Sequence, residues 1–148
     1  MTRIRRIMHP SDFSRASRPA FAKAVELAKT NRAELLVAHV LTPVVPVVGD
    51  GYVSPTVYDE IESSARAYAL KQLGGLIAKA KKAGVRAKPL LLAGAPAEQI
   101  TRAARSRRAD LVVLGTHGRT GFARVILGSV ANRVVATAQC PVMTVRGT

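Results

Sequence analysis

The run of residues 35–41, Leu-Leu-Val-Ala-His-Val-Leu, is the feature that most restricts how this chain folds. A strand with one face in water alternates apolar and polar residues, whereas this run is apolar at nearly every position. Such a strand is buried on both faces, as in a parallel sheet that helices cover on each side. The runs at residues 90–92 and 111–114 have the same character.

Helical patterns alternate with these apolar runs. Apolar residues recur at helical spacing over residues 21–28, after Ser17 as a candidate N-cap, and Pro96 opens a later helix. Strands are predicted at residues 4–8, 35–41, 90–92, 111–114 and 142–145, in the order βαβαβαβαβ. The prediction is one α/β domain over residues 1–148, with a doubly wound five-stranded parallel sheet and helices on both faces.

The longest helix is predicted over residues 58–83, with Gly84 at its end. Gly74 and Gly75 in its interior each cost roughly 1 kcal/mol relative to alanine, which predicts a packing or bending reason for them. Pro89 predicts that the following strand lies at a sheet edge. The inward stripe of the helix is predicted to consist of Ile61, Ala65, Tyr68, Leu73, Leu76, Ile77 and Ala80.

Residues 42–56 form a long connector that contains three prolines and two glycines. Loops of this length in compact domains often serve as ligand lids, hinges or partner contacts.

Glycines surround the end of the fourth predicted strand. Gly115 and Gly118 follow that strand, and Gly128-Ser129 precedes the helix of residues 130–135. The first turn of a helix has unpaired N–H donors and partial positive charge, and residues without a Cβ let a phosphate approach the main chain. The pattern predicts a phosphate-bearing ligand, and an N-cap role alone is the alternative for Ser129.

A second distinctive loop, Pro10-Ser11-Asp12, follows the first predicted strand. Ligands of doubly wound sheets bind at the carboxyl ends of the strands, where the strand order reverses. If the first and fourth strands are the central pair, this loop and the glycine loop meet at one crevice.

Gly115-x-x-Gly118, followed after nine residues by Gly128-Ser129, resembles the ATP-binding signature of the universal stress protein family. Residues 10–14, Pro-Ser-Asp-Phe-Ser, and the strand end at residues 38–40 are similar to that family as well. The resemblance covers about residues 5–145. It implies a Rossmann-like sheet with strand order 3-2-1-4-5 that holds ATP at the point where the order reverses.

The resemblance also implies roles for residues at matching positions. Asp12 would take the ribose or adenosine side, Pro10 and Ser11 would lie beside it, and the backbone of Val40 would contact adenine. Leu114, Gly115 and Gly118 would line the nucleoside and α-phosphate, and Gly128, Ser129 and Val130 would receive the β- and γ-phosphates. Mg²⁺ or Mn²⁺ would lie among the phosphate oxygens. For Asp12, a turn residue that bonds only its own backbone is the alternative.

No catalytic set stands out in the sequence. The motif GxxxxGK[ST] is absent, and neither a Ser/His/Asp or Cys/His set nor a His/Cys cluster with metal spacing is evident. Asp12 is the one carboxylate that can be placed near the predicted site. Binding without rapid turnover is therefore the leading hypothesis, and a slow ATPase or autophosphorylating enzyme is the alternative.

The net charge of +14 is unusually high for a chain of 148 residues. It leaves a polyanion-binding surface as an alternative function. Aromatic residues make up only 4%, and the basic residues are spread over several helices. Proteins that bind single-stranded nucleic acid interleave aromatic and basic residues. Because this chain does not, we expect solvated helix faces and no nucleic-acid partner.

The sequence predicts a cytoplasmic protein without a membrane partner. No apolar run approaches the roughly 18 residues of a membrane span, and the basic start lacks the apolar core of a signal peptide. The only cysteine, Cys140, is expected to be a small buried residue rather than a nucleophile.

The last strand, residues 142–146, lies at a sheet edge in the order that the resemblance implies. An apolar edge strand exposes unpaired backbone groups, and pairing with a second copy about a two-fold axis removes them. The resemblance likewise implies a homodimer through this strand, and we expect nucleotide occupancy to bias it.

Overall fold

The computed structural model describes residues 3–43, 54–116 and 127–147. Its strands are β1 (Arg6–Pro10), β2 (Glu34–Leu41), β3 (Ala87–Ala93), β4 (Leu111–Gly115) and β5 (Val142–Val145). Its helices are α1 (Arg18–Asn31), α2 (Pro55–Lys82), α3 (Pro96–Ser106) and α4 (Ser129–Thr137), and a 3₁₀ turn, Arg15–Ser17, precedes α1.

All five strands lie in one parallel sheet in the order β3-β2-β1-β4-β5. The predicted Rossmann-like α/β fold and its strand order are confirmed. Most of the connector predicted at residues 42–56 lies outside the described residues.

Helices cover both faces of the sheet. Since neighbouring residues of a strand point to opposite faces, each strand contributes side chains to both cores. Ile7 belongs to the core cluster that includes Ala24 of α1 and Leu73 of α2. Met8, the next residue of β1, belongs to a second cluster that includes Ile100 of α3 and Val134 of α4. The nearly continuous apolar strands therefore serve two separate cores.

The first strand runs from Arg6 to Pro10, two residues later than predicted. Pro10 pairs with Ala38 of β2, and the N–H of Ser11 extends that ladder by donating to the carbonyl of Ala38 at 2.8 Å. Pairing with β4 covers only Ile7 and Met8. Since residues alternate in the neighbour they bond, the missing N–H of Pro10 faces the β4 side, where the ladder has already ended.

The prediction for the inward stripe of α2 is correct for its second half and wrong for its first half. Leu73, Ile77 and Ala80 are buried, whereas Ile61 and Tyr68 are 44% and 54% exposed and Ala65 is exposed as well. The 28 residues of α2 extend for about 42 Å at 1.5 Å per residue. The eight residues of β2 cover only about 26 Å, so the first turns of α2 extend beyond the sheet.

Packing among the described residues does not explain Gly74 and Gly75. A Cβ at either position would meet no atom of these residues within 4 Å, which contradicts the packing alternative, and the bending alternative stays a prediction. Pro89 lies on β3, an edge strand of the sheet as predicted. Among the helices that the structure describes, none combines the length and apolar character needed to cross a membrane. A cytoplasmic location stays a prediction.

Candidate functional site

A cavity of about 620 Å³ opens at the carboxyl ends of the strands. It lies where the order reverses, between the segments that follow β1 and β4. Nine of the ten residues predicted for the site line it: Pro10, Ser11, Asp12, Val40, Leu114, Gly115, Gly128, Ser129 and Val130. Gly118 lies outside the described residues, as do its neighbours His117 and Arg119.

The loop after β1 holds Asp12 at the cavity through its own turn. Oδ1 of Asp12 accepts a hydrogen bond from the N–H of Ser14 at 2.9 Å, and Oγ of Ser11 accepts one from the N–H of Phe13 at 3.1 Å. Phe13 adopts a left-handed conformation with φ of 65°, which completes the turn. The turn role considered for Asp12 is thus real. The two oxygens of a carboxylate offer about four acceptor sites in all.

Aromatic rings support the same loop and extend to the cavity wall. Phe13 stacks on His39 of β2, with ring centroids 4.1 Å apart and 22° between the planes. Nδ1 of His39 lies 2.7 Å from the carbonyl oxygen of Ser11. Tyr68 of α2 meets the edge of Phe13 at 6.2 Å. His39 and Tyr68 both line the cavity.

Sequence reasoning missed Tyr68 as a cavity residue, since helical spacing alone assigned it to the core. Its contact with Phe13 depends on how α2 packs beside the loop after β1, which helical spacing does not show. Pro96, predicted only as a helix start, and Ile100 of α3 line the cavity too.

The opposite wall is the first turn of α4. The helix begins at Ser129 and its N-cap is Gly128, which corrects the prediction of Ser129 as the N-cap. The N–H of Gly128 donates to the carbonyl of Thr116 at 2.6 Å, so this group already has an acceptor. The N–H groups of Ser129, Val130 and Ala131 belong to the first turn, which has no acceptors within the helix.

The first turn of α4 is electrostatically suited to an anion. It contains no acidic residue, so the partial positive charge of the helix end is not offset there. A phosphate at this wall would meet main-chain donors on the side opposite Asp12. The cavity therefore has an acceptor wall and a donor wall.

His9 lies fully buried at the end of β1, three residues before Asp12. Burial lowers its pKa to about 4, outweighing the hydrogen bond to Val113 and the charge of Asp12, which both raise the pKa. Nδ1 lies 2.8 Å from the carbonyl oxygen of Val113 and must be the donor, because a carbonyl only accepts. Nε2 is buried and makes no hydrogen bond among the described residues. His9 thus supports the strand end as a neutral ring.

Cys140 is half-buried beside the core of α3 and α4. Burial raises the pKa of its thiol, so the unreactive protonated form predominates at neutral pH.

Within the described ranges, no group of three or more His, Cys, Asp or Glu side chains is arranged to hold a metal ion.

A doubly wound parallel sheet with a ligand-sized cavity at its reversal point defines a class of α/β proteins that bind small ligands at strand ends. Residues 3–146 match the model of the universal stress protein family. The chain therefore belongs to the universal stress protein family, as the resemblance implied.

Two curated relatives illustrate the likeness. The universal stress protein MJ0531 of Methanocaldococcus jannaschii is 35% identical over 144 residues, which cover 96% of this chain and 82% of that protein. The universal stress protein YxiE of Bacillus subtilis is 35% identical over 139 residues, which cover 91% of this chain and 94% of its own.

Solved structures share the fold. UspA from Lactobacillus plantarum superposes with a TM-score of 0.81 at 26% identity, covering 99% of this chain and all of that one. A universal stress protein in complex with cAMP gives a TM-score of 0.74 at 23% identity, with 99% and 100% coverage. An Arabidopsis thaliana member with AMP bound gives 0.69 at 24%, with 97% and 92% coverage. A member from Archaeoglobus fulgidus is in complex with dAMP.

Proposed function

We propose that this protein binds ATP and acts as a nucleotide-dependent module in stress response and signalling. The observation that carries the proposal is the cavity between Asp12 and the first turn of α4. One wall offers a carboxylate to ribose hydroxyls, and the other offers helix N–H groups to phosphates. Relatives of the same fold in complex with cAMP, AMP and dAMP support an adenine nucleotide as the ligand class.

Each wall recognises a different part of the nucleotide in this proposal. Asp12 accepts hydrogen bonds from the ribose, and the backbone of Val40 contacts adenine. Gly115 lets the α-phosphate approach the main chain. Ser129 donates its hydroxyl and its N–H to the outer phosphates, together with the N–H of Val130. Gly128 acts through its missing side chain and its cap conformation, since its N–H bonds Thr116.

We propose binding without rapid turnover. Asp12 is the one acidic residue among the described residues that line the cavity, and no lysine or arginine is among them. In this proposal Asp12 is engaged by its turn and by the ribose, so it does not orient an attacking group. Mg²⁺ would be held by phosphate oxygens and would neutralise part of their charge.

Calorimetric titration with ATP tests the two walls separately. Asp12→Asn keeps an oxygen for the N–H of Ser14 but removes the charge, so ATP affinity should fall about tenfold, the difference between a charged and a neutral hydrogen bond. Asp59→Asn on the exposed surface of α2 is its control and should bind ATP as the parent does. An unchanged ATP affinity in Asp12→Asn would show that the charge of Asp12 does not contribute to ATP binding.

Ser129→Ala tests the phosphate wall in the same titration. Loss of the hydroxyl should lower the affinity for ATP several-fold and leave the affinity for adenosine unchanged, because only ATP has phosphates that reach this wall. Ser106→Ala at the far end of α3 is the matched control. Equal weakening of ATP and adenosine would place the phosphates elsewhere.

A further inference from the structure

The fold gathers the basic residues at the end of the sheet opposite the cavity. In a parallel sheet with crossover helices, all strands begin and all helices end on the same side. We call the following set the basic end: Arg3, Arg5, Arg6, Arg32, Lys79, Lys81, Lys82, Arg86, Lys88, Arg105, Arg107 and Arg108. Only two acidic residues, Glu34 and Asp110, lie in the same segments. The basic end therefore carries +10 of the net charge of +14.

Hydrogen bonds tie the β1 and β4 sides of the basic end together. Nη1 of Arg6 donates to the carbonyl of Arg107 at 2.5 Å. The N–H groups of Arg5 and Arg6 donate to Oδ2 of Asp110 at 2.8 and 3.0 Å. These contacts fix arginines from two separate segments beside one another.

The β2 and β3 sides are joined in the same way. Nη2 of Arg86 donates to the carbonyl of Arg32 at 3.4 Å, and the carbonyl of Arg86 accepts from the N–H of Leu35 at 2.8 Å. The N–H of Glu34 donates to the carbonyl of Arg5 at 2.9 Å, which links this pair of strands to β1. The basic end is thus one surface across β3, β2, β1 and β4.

Ion pairing neutralises little of this surface. Glu34 pairs with Arg6 at 3.2 Å and with Lys88 at 3.3 Å, and in the part of the chain that the structure describes these are the only ion pairs of the basic end. Cations at helix ends offset the helix dipole, which explains Lys81 and Lys82 on α2. That role does not extend to Arg3, Arg5 and Arg86, which lie outside helices.

The chemistry of the basic end favours a rigid polyanion over a membrane or a single strand. None of the exposed large apolar side chains lies in its segments, so it lacks residues that would insert into a bilayer. It also contains no aromatic residue on which unpaired bases could stack. What it offers is a dense array of arginine and lysine, which suits the regularly spaced phosphates of a duplex.

We propose that the basic end is a second binding surface, which holds the phosphate backbone of double-stranded nucleic acid without reading its sequence. Four strands spaced about 4.8 Å apart span about 15 Å, a length of duplex axis that carries roughly four phosphates on each strand. This revises the expectation of separate solvated helix faces. The surface lies opposite the nucleotide cavity, so it does not depend on the function proposed above.

Fluorescence anisotropy with a labelled mixed-sequence DNA duplex of about 24 base pairs, titrated over a range of KCl concentrations, tests the proposal. We expect the logarithm of the association constant to fall with the logarithm of salt with a slope of about −4. Lys81→Gln/Lys82→Gln should reduce the magnitude of that slope by about two, since each lysine releases about one counterion.

Arg66→Gln/Lys71→Gln on the same helix is the matched control, because it removes the same charge from exposed positions away from the basic end. It should leave the slope within experimental error of the parent. Arg105→Gln/Arg108→Gln, in the last turn of α3 and just after its end, provides a second test should the first pair lower the thermal midpoint.

Three results would overturn the proposal. The first is no duplex binding at low salt. The second is an equal reduction of the salt slope in the test and control variants, which would mean that binding depends on the overall charge of the protein and not on the basic end. The third is stronger binding to single-stranded DNA or to phosphatidylglycerol vesicles than to the duplex.

Discussion

His9 links burial to acid sensitivity at the scale of a single residue. Its ring is neutral in the folded chain because burial lowers its pKa to about 4, while the unfolded chain has the ordinary value of 6.5. Between these values the unfolded state binds more protons than the folded state, so stability decreases as the pH falls from 6.5 towards 4. Above pH 6.5 the contribution of His9 to the free energy of unfolding is complete.

We expect His9→Gln to remove this dependence while still offering an amide donor to the carbonyl of Val113. Between pH 7 and pH 5 the parent should lose roughly 2 kcal/mol more of its free energy of unfolding than the variant, as linkage requires. Urea unfolding at the two pH values measures the difference. Equal losses in parent and variant would show that His9 is not the titrating group.

Single residues of the site were predictable where they follow a strand or begin a helix. Asp12 and Ser129 were placed by turn and glycine patterns, and both line the cavity. The hydrogen bond from Gly128 to Thr116 was not predictable, because it joins residues twelve positions apart whose contact depends on the loop path. The stacking of Phe13 on His39 depends in the same way on the register of β1 and β2.

At the scale of elements, α2 shows what the periodicity of apolar residues in the sequence can and cannot predict. Apolar spacing identified the helix and its buried half, since that signal is local. Which turns are covered depends on where β2 and β3 end, and this follows only from the assembled sheet. Ile61 lies beyond that limit, whereas the turn of Tyr68 and the fully buried Ala69 lies within it.

Gly74 and Gly75 predict a gain in stability from a simple change in α2. Alanine at either position would meet no atom of the described residues within 4 Å and would remove the entropic cost of glycine in a helix. Gly74→Ala/Gly75→Ala should therefore raise the free energy of unfolding by roughly 2 kcal/mol. Urea unfolding of the double variant measures it.

Gly84→Ala is the opposing control for this prediction. Space is open there too, but φ of 89° strains any residue with a Cβ, so this variant should be less stable than the parent. A double variant at Gly74 and Gly75 that is no more stable than the parent would indicate that something packs on this face of α2.

At the scale of the whole molecule, β5 is an edge strand, and among the described strands it pairs with β4 alone. The carbonyls of Pro141 and Val145 accept from the N–H groups of Val112 and Thr116, which places these odd positions towards β4. By alternation the backbone groups of Val142 and Thr144 face the open edge. We propose, from this edge and from the expectation stated above, a homodimer formed through β5.

Thr144→Pro should disrupt that dimer without breaking the sheet within the chain. Proline removes the one N–H at this position, which faces the open edge rather than β4. We expect analytical ultracentrifugation to detect a dimer for the parent and a monomer for the variant. A parent that is monomeric with and without ATP would contradict both the dimer and its coupling to the nucleotide.

The strand order and the two-faced core could be predicted because they follow from alternation along the chain. The distribution of charge could not, since arginines far apart in sequence meet only when the strands align. Arg32 and Arg86 are 54 positions apart and share a hydrogen bond. The sequence suggested dispersed basic helices, whereas the fold places most of the excess charge at one end.

The central claim is that an adenine nucleotide binds between the loop of Asp12 and the first turn of α4. Amide chemical shifts recorded during a titration with ATP test this claim most directly. The amides of Ser11, Gly115, Ser129 and Val130 should shift together with one saturation curve, and those of Arg32 and Arg86 at the basic end should not shift. Saturable shifts confined to the basic end, or no shifts at millimolar ATP, would contradict it.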